Sequence, residues 1–190
     1  MLGVLLTSWT IRLALACYVA YLAGGLVVSA SGKRSASWPS VARWIWTLGC
    51  GLFVIHVACA FHFYHDWSHA AAFEKTASET EDLLGVRFGE GIYFSYLFLV
   101  LWVADVAWSW LRPLSAAPQA SWPRIALHAY LFFIAFNGAI VFESGPTRWV
   151  GIVVCLLLTG LAWRTAYNSQ CGVRIAKQET KQPQLLNPEP

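Results

Sequence analysis

EGIYFSYLFLVLWVADVAWSWL, residues 90–111, carries carboxylates only at Glu90 and Asp105 and contains no lysine, arginine or histidine. At 1.5 Å per residue a helix of this length rises about 33 Å, enough to cross a hydrocarbon core about 30 Å thick. The stretch therefore reads as a transmembrane span, and it sets the scale for the rest of the chain. Four further apolar stretches, approximately 8–30, 43–64, 125–142 and 149–167, meet the same requirement. The expected fold class is an all-α integral membrane protein, a bundle of five transmembrane helices.

Composition agrees. The chain has 190 residues, of which 57% are hydrophobic and 12% charged, against about a quarter charged in ordinary soluble domains. Its mean hydropathy is +0.52. A net charge of +3 is small, and the basic residues are scattered rather than gathered with aromatics into a patch, so nucleic acid is not an expected partner. The lipid bilayer is, and other membrane subunits would suit a chain of this kind. The first apolar run contains LALAC, a sequence found in cleaved leaders. No basic region precedes it, however, and the run continues through YVAYLAGGLVVSA without a convincing cleavage site, so a retained anchor is expected.

The loops fix the expected orientation. SGKRSASWPSVAR, RPLSAAPQASWPR and the tail, together with Arg164, place nine of the 13 basic residues on one side. Arg12, Lys75, Arg87 and Arg148 fall on the other. The positive-inside rule then puts the N-terminus outside and the C-terminus inside a cell membrane. Ten of the 11 tryptophans lie near predicted span ends, as aromatic belts require, and only Trp102 is deep. Residues 170–190 form a polar, proline-punctuated segment expected to be a disordered cytoplasmic tail. Cys17, Cys50, Cys59, Cys155 and Cys171 show no metal-ligand spacing and read as packing residues.

The chemistry-bearing residues fall in two places. CAFHFYHDWSHAAAF, residues 59–73, holds His62, His65 and His69, with His56 just upstream; only His128 lies elsewhere. On a continuous helix His62, His65 and His69 share one stripe and His56 faces away. Seven residues, GVRFGEG, are too few to return from a straight rod ending at Leu84, so the chain must bend near Asp66–Ala72. AAFEKTASETEDLL then becomes a short outer interfacial helix between spans two and three, within an outer segment 66–89, and Gly85 supplies a C-terminal stop. Because His62 and His69 stand about 10 Å apart on a straight helix, only a break between them would let all three imidazoles share one ion. A set of His62, His65, His69 and Asp66 would suit zinc, copper or iron. Anchoring at the headgroup level is the competing role.

Within the bilayer, Asp105 lies about 9 Å from the inner end of its span, and His128 is the expected partner at comparable height. Asn137 and His56 lie at similar depth and suggest a helix–helix hydrogen bond. His56 and His128 differ in depth, which argues against bis-histidine haem. No nucleophile–base motif and no phosphate-binding glycine loop is present, so neither a hydrolase nor a nucleotide-binding protein is expected. Three functional readings follow. One is a metal-binding redox or metal-handling accessory, another a non-catalytic structural or assembly subunit, and the last a small proton-coupled transporter using Asp105 and His128.

Overall fold

A computed structural model describes residues 2–31, 37–113, 122–141 and 145–186. The described residues form α1 (Leu2–Ser31), α2 (Trp38–Tyr64), α3 (His69–Leu84), α4 (Gly91–Leu111), α5 (Trp122–Phe136) and α6 (Pro146–Leu186). A π-helical turn, Asn137–Val141, prolongs α5. All of these except α3 supply a segment long and apolar enough to cross a membrane, namely Leu2–Ser31, Trp38–Tyr64, Gly91–Leu111, Trp122–Ile140 and Arg148–Asn168. This architecture is compatible with a small multi-pass membrane protein. The α6 backbone stays helical through Leu186, beyond the expected span end at residue 167.

Small residues set how closely α1 and α2 approach. A Cβ on Gly3 would meet the Phe63 ring at 2.7 Å, one on Gly24 the Trp38 ring at 1.9 Å, and one on Gly49 would come within 3.0 Å of Cys17 Cβ. These contacts run in opposite senses along the two helices, so α1 and α2 form an antiparallel pair with glycines at the interface, the usual device for close helix approach in lipid. α2 packs against α4, α4 against α5, and α6 against α1 and the π turn.

The centre is aromatic. Tyr18 of α1, Trp46 and Cys50 of α2, Phe98 and Trp102 of α4 and Leu131 of α5 are all buried in one cluster. Trp46 was expected as an interfacial anchor but is only 2% exposed. It lies eight residues inside the start of α2, about 12 Å along the axis, and so reaches the interior as Asp105 does from the end of α4.

The π turn opens on a side-chain bond to the backbone. Asn137 Nδ2 donates to the Phe133 carbonyl at 2.7 Å, competing for the acceptor that the backbone of an α-helix would use at that spacing. Side chains inserted into the helical ladder widen or kink it in this way.

The turn between α2 and α3 is equally specific. Asp66 and Trp67 both adopt left-handed backbone, φ 45° and 57°, reversing the chain while Trp67 N–H donates to the Phe61 carbonyl at 3.0 Å. Ser68 then caps α3, its hydroxyl accepting from Ala71 N–H. α3 ends at Gly85, whose φ of 71° only glycine adopts freely and whose N–H reaches the Glu81 carbonyl at 2.8 Å. A bend, a helix over His69–Leu84 and a stop at Gly85 thus all form. Arg87 folds back onto α3 and pairs with Glu81 at 3.0 Å and with Glu74. Hydrogen bonds to Glu81 and Glu74, reinforced by their charge, raise the pKa of its guanidinium above the usual value. On the inner side of α3, Ala72, Ala77 and Thr80 are buried as the helix packs against α4.

Candidate functional site

The helix break separates the histidine cluster. α2 ends at Tyr64, so His65 becomes its C-cap and His69 opens α3. His62 lies against Phe63 and Trp67, with ring centroids 4.7 and 6.4 Å away. His65 meets the edge of Phe61 at 5.6 Å. His69 Nδ1 is 2.9 Å from the Tyr96 hydroxyl, and its ring also packs on Tyr93. Among the described residues no group of three or more histidine, cysteine, aspartate or glutamate side chains stands where it could hold a metal. His62, His65, His69 and Asp66 do not form such a group: the break that a shared ion required is present, but the reversal at Asp66 and Trp67 leaves each imidazole against its own aromatic neighbours. Tyr96, which the sequence reading overlooked, is the partner that fixes His69 and so tethers the start of α3 to α4.

The two expected intramembrane pairs also change. His56 Nδ1 lies 2.9 Å from the Thr7 carbonyl. A carbonyl only accepts, so Nδ1 carries the proton and the imidazole joins α2 to α1. Asn137 is occupied by its own helix, so the anticipated His56–Asn137 bond does not form. Both residues are satisfied more locally, Asn137 four residues back and His56 on the helix nearest to it.

Asp105 is likewise not bonded to His128. Its Oδ2 accepts from Trp46 Nε1 at 2.9 Å. The Trp46 indole also packs against the His128 ring, with centroids 5.4 Å apart. A carboxylate from α4 and an imidazole from α5 thus both contact one indole from α2. His128 stacks on Tyr21 of α1 at 5.8 Å and 26°. The Tyr21 hydroxyl in turn accepts from Arg124 at 3.0 Å. The result is a polar–aromatic series, Arg124, Tyr21, His128, Trp46 and Asp105, running from one end of the bundle into its core.

Three buried polar atoms in this neighbourhood have no hydrogen-bond partner among the described residues: His128 Nδ1, Tyr18 Oη and Trp102 Nε1. Tyr18 and Trp102 pack edge to face at 5.9 Å, and both contact Trp46. In hydrocarbon an unmet polar group costs several kcal/mol, so such groups are rare unless they serve an exchangeable partner. Indole Nε1 can only donate, a phenol can do both, and imidazole can accept a proton or give one. This part of the core therefore holds buried hydrogen-bonding groups of three kinds, an indole N–H, a phenol and an imidazole. Nothing in the sequence signalled this arrangement, because Trp46 stands only three residues inside the expected span 43–64 and reads there as one of the belt tryptophans.

No family model, no curated protein and no solved structure matches this chain.

Proposed function

We propose that the chain is a small multi-pass membrane protein that binds and releases a proton in its bundle core, with Asp105 and His128 as the coupling site of a small carrier. The observation that carries this reading is His128, whose Nδ1 has no partner among the described residues and whose ring packs on the same indole that donates to Asp105. Intramembrane ionisable residues are costly, about 2.5–3.5 kcal/mol for an aspartate at mid-helix on insertion scales, and are retained chiefly along ion or proton pathways. Trp46 Nε1 donates to the Asp105 carboxyl group, and the His128 imidazole packed on the same indole is a second group able to carry a proton. Arg124 and Tyr21 lead from this pair toward the bundle end that the distribution of lysine and arginine assigns to the cytoplasm.

Purified protein in liposomes containing a pH-sensitive dye tests the reading. An imposed pH gradient should dissipate faster with wild type than with empty liposomes, and Asp105→Asn and His128→Phe should each abolish the difference. Equal rates for wild type and both variants would eliminate the proposal.

A further inference from the structure

The end of the bundle where α2 begins and α4 finishes carries a second organised cluster, independent of the proton-handling reading. Arg43 Nη2 donates to the Arg112 carbonyl at 2.8 Å. Arg112 is the C-cap of α4, so Arg43 serves one of the carbonyls a helix end leaves without a partner. The Arg43 guanidinium lies over the Trp110 ring at 5.3 Å, and that of Arg112 over Trp108 at 5.0 Å. Trp110 is held by its Nε1 bond to Thr47 Oγ1, 3.0 Å, and by Trp44 packed edge-on at 4.9 Å.

Two cations thus stand at the same end of the bundle, each over its own indole, with Arg43 bonded to the Arg112 backbone. The ion pairs formed among the described residues involve Lys75 and Arg87, at the opposite end; neither Arg43 nor Arg112 meets a carboxylate. A guanidinium has five donors in a planar fork matched to phosphate, and one donor of Arg43 goes to the carbonyl. Below the pair, Leu48 and Val103 on the same two helices are exposed apolar side chains. Paired cations at a span end, above an apolar surface, match the charge and the amphipathic shape of an anionic lipid.

We propose that Arg43 and Arg112, supported by Trp108 and Trp110, form a binding site for the phosphate of an anionic phospholipid whose acyl chains lie along α2 and α4. Free inorganic phosphate shares the headgroup chemistry but not the chains.

Native mass spectrometry of detergent-purified protein, offered equal phosphatidylglycerol and phosphatidylcholine, tests this. Wild type should retain phosphatidylglycerol at least about tenfold over phosphatidylcholine, a difference of about 1.4 kcal/mol. The double variant Arg43→Gln/Arg112→Gln should retain both equally, and Arg87→Gln, at the other end, should behave as wild type. Arg112→Lys should keep a reduced preference, since charge remains without the planar fork. Equal retention by wild type overturns the proposal without recourse to any variant. So does a preference that survives in the folded double variant, or thermal stabilisation by inorganic phosphate equal to that by phosphatidylglycerol.

Discussion

Trp46 and Asp105 lie 59 positions apart in sequence and are joined by an Nε1–H···Oδ2 bond of 2.9 Å inside the bundle. The donor is one end of a side chain that is otherwise core, so a single residue both packs α2 against α4 and satisfies the carboxylate. A double-mutant cycle with Trp46→Phe and Asp105→Leu, read by unfolding in detergent, should give a coupling energy of about 0.5–1.5 kcal/mol, the range found for hydrogen bonds between membrane helices. Additive effects would show that the bond carries no stability.

Close approach of α1 and α2 depends on particular glycines. Gly49→Val should destabilise the protein by about 1–3 kcal/mol, because even a Cβ at this position stands 3.0 Å from Cys17 and 3.1 Å from Trp102. Gly51→Val, two residues on, should be tolerated, since nothing lies within 4 Å of its Cβ position. Thermal inactivation of the two variants side by side makes the comparison, and equal midpoints would refute it.

The attachment of α3 rests on a few local bonds. Ser68→Ala should cost about 0.5–2 kcal/mol of local stability by removing the cap, visible as faster amide exchange in the first turns of α3. Tyr96→Phe should accelerate exchange in the same turns by releasing His69. Unchanged exchange in both would mean that apolar packing of Ala72 and Ala77 alone holds the helix.

The dispersal of His62, His65 and His69 predicts that metal content does not depend on them. Wild type and His65→Ala, purified without chelator, should contain the same transition metal per chain by elemental analysis. A stoichiometric ion lost in the variant would require the α2–α3 turn to rearrange.

The orientation expected from the basic loops can be read by labelling. In a cysteine-free background, Ser78→Cys on α3 should react with an impermeant maleimide on intact cells, and Ser37→Cys, before α2, only after permeabilisation. The opposite pattern would reverse the topology and move the polar series from Arg124 to the extracytoplasmic side.

What the chain determined locally was legible in advance. Span number and approximate ends follow from stretches long and apolar enough for a bilayer, and the bend at Asp66 follows from the reach of seven residues between Leu84 and the next span. Gly85 stops α3 because a left-handed residue is needed there. These features depend on neighbours in sequence, and hydropathy and backbone sterics report them directly.

Tertiary structure alone decided which polar groups meet. Depth along a helix can be counted from its ends, and by that measure Asp105 matched His128, and His56 matched Asn137. The partner also depends on how each helix is rotated and which helix stands beside it. A span facing lipid over much of its circumference is apolar all round, so its sequence carries no strong periodic mark of the inward face. Rotation therefore turned Trp46 onto Asp105, gave His56 to the Thr7 carbonyl, and left His128 Nδ1 without a partner among the described residues.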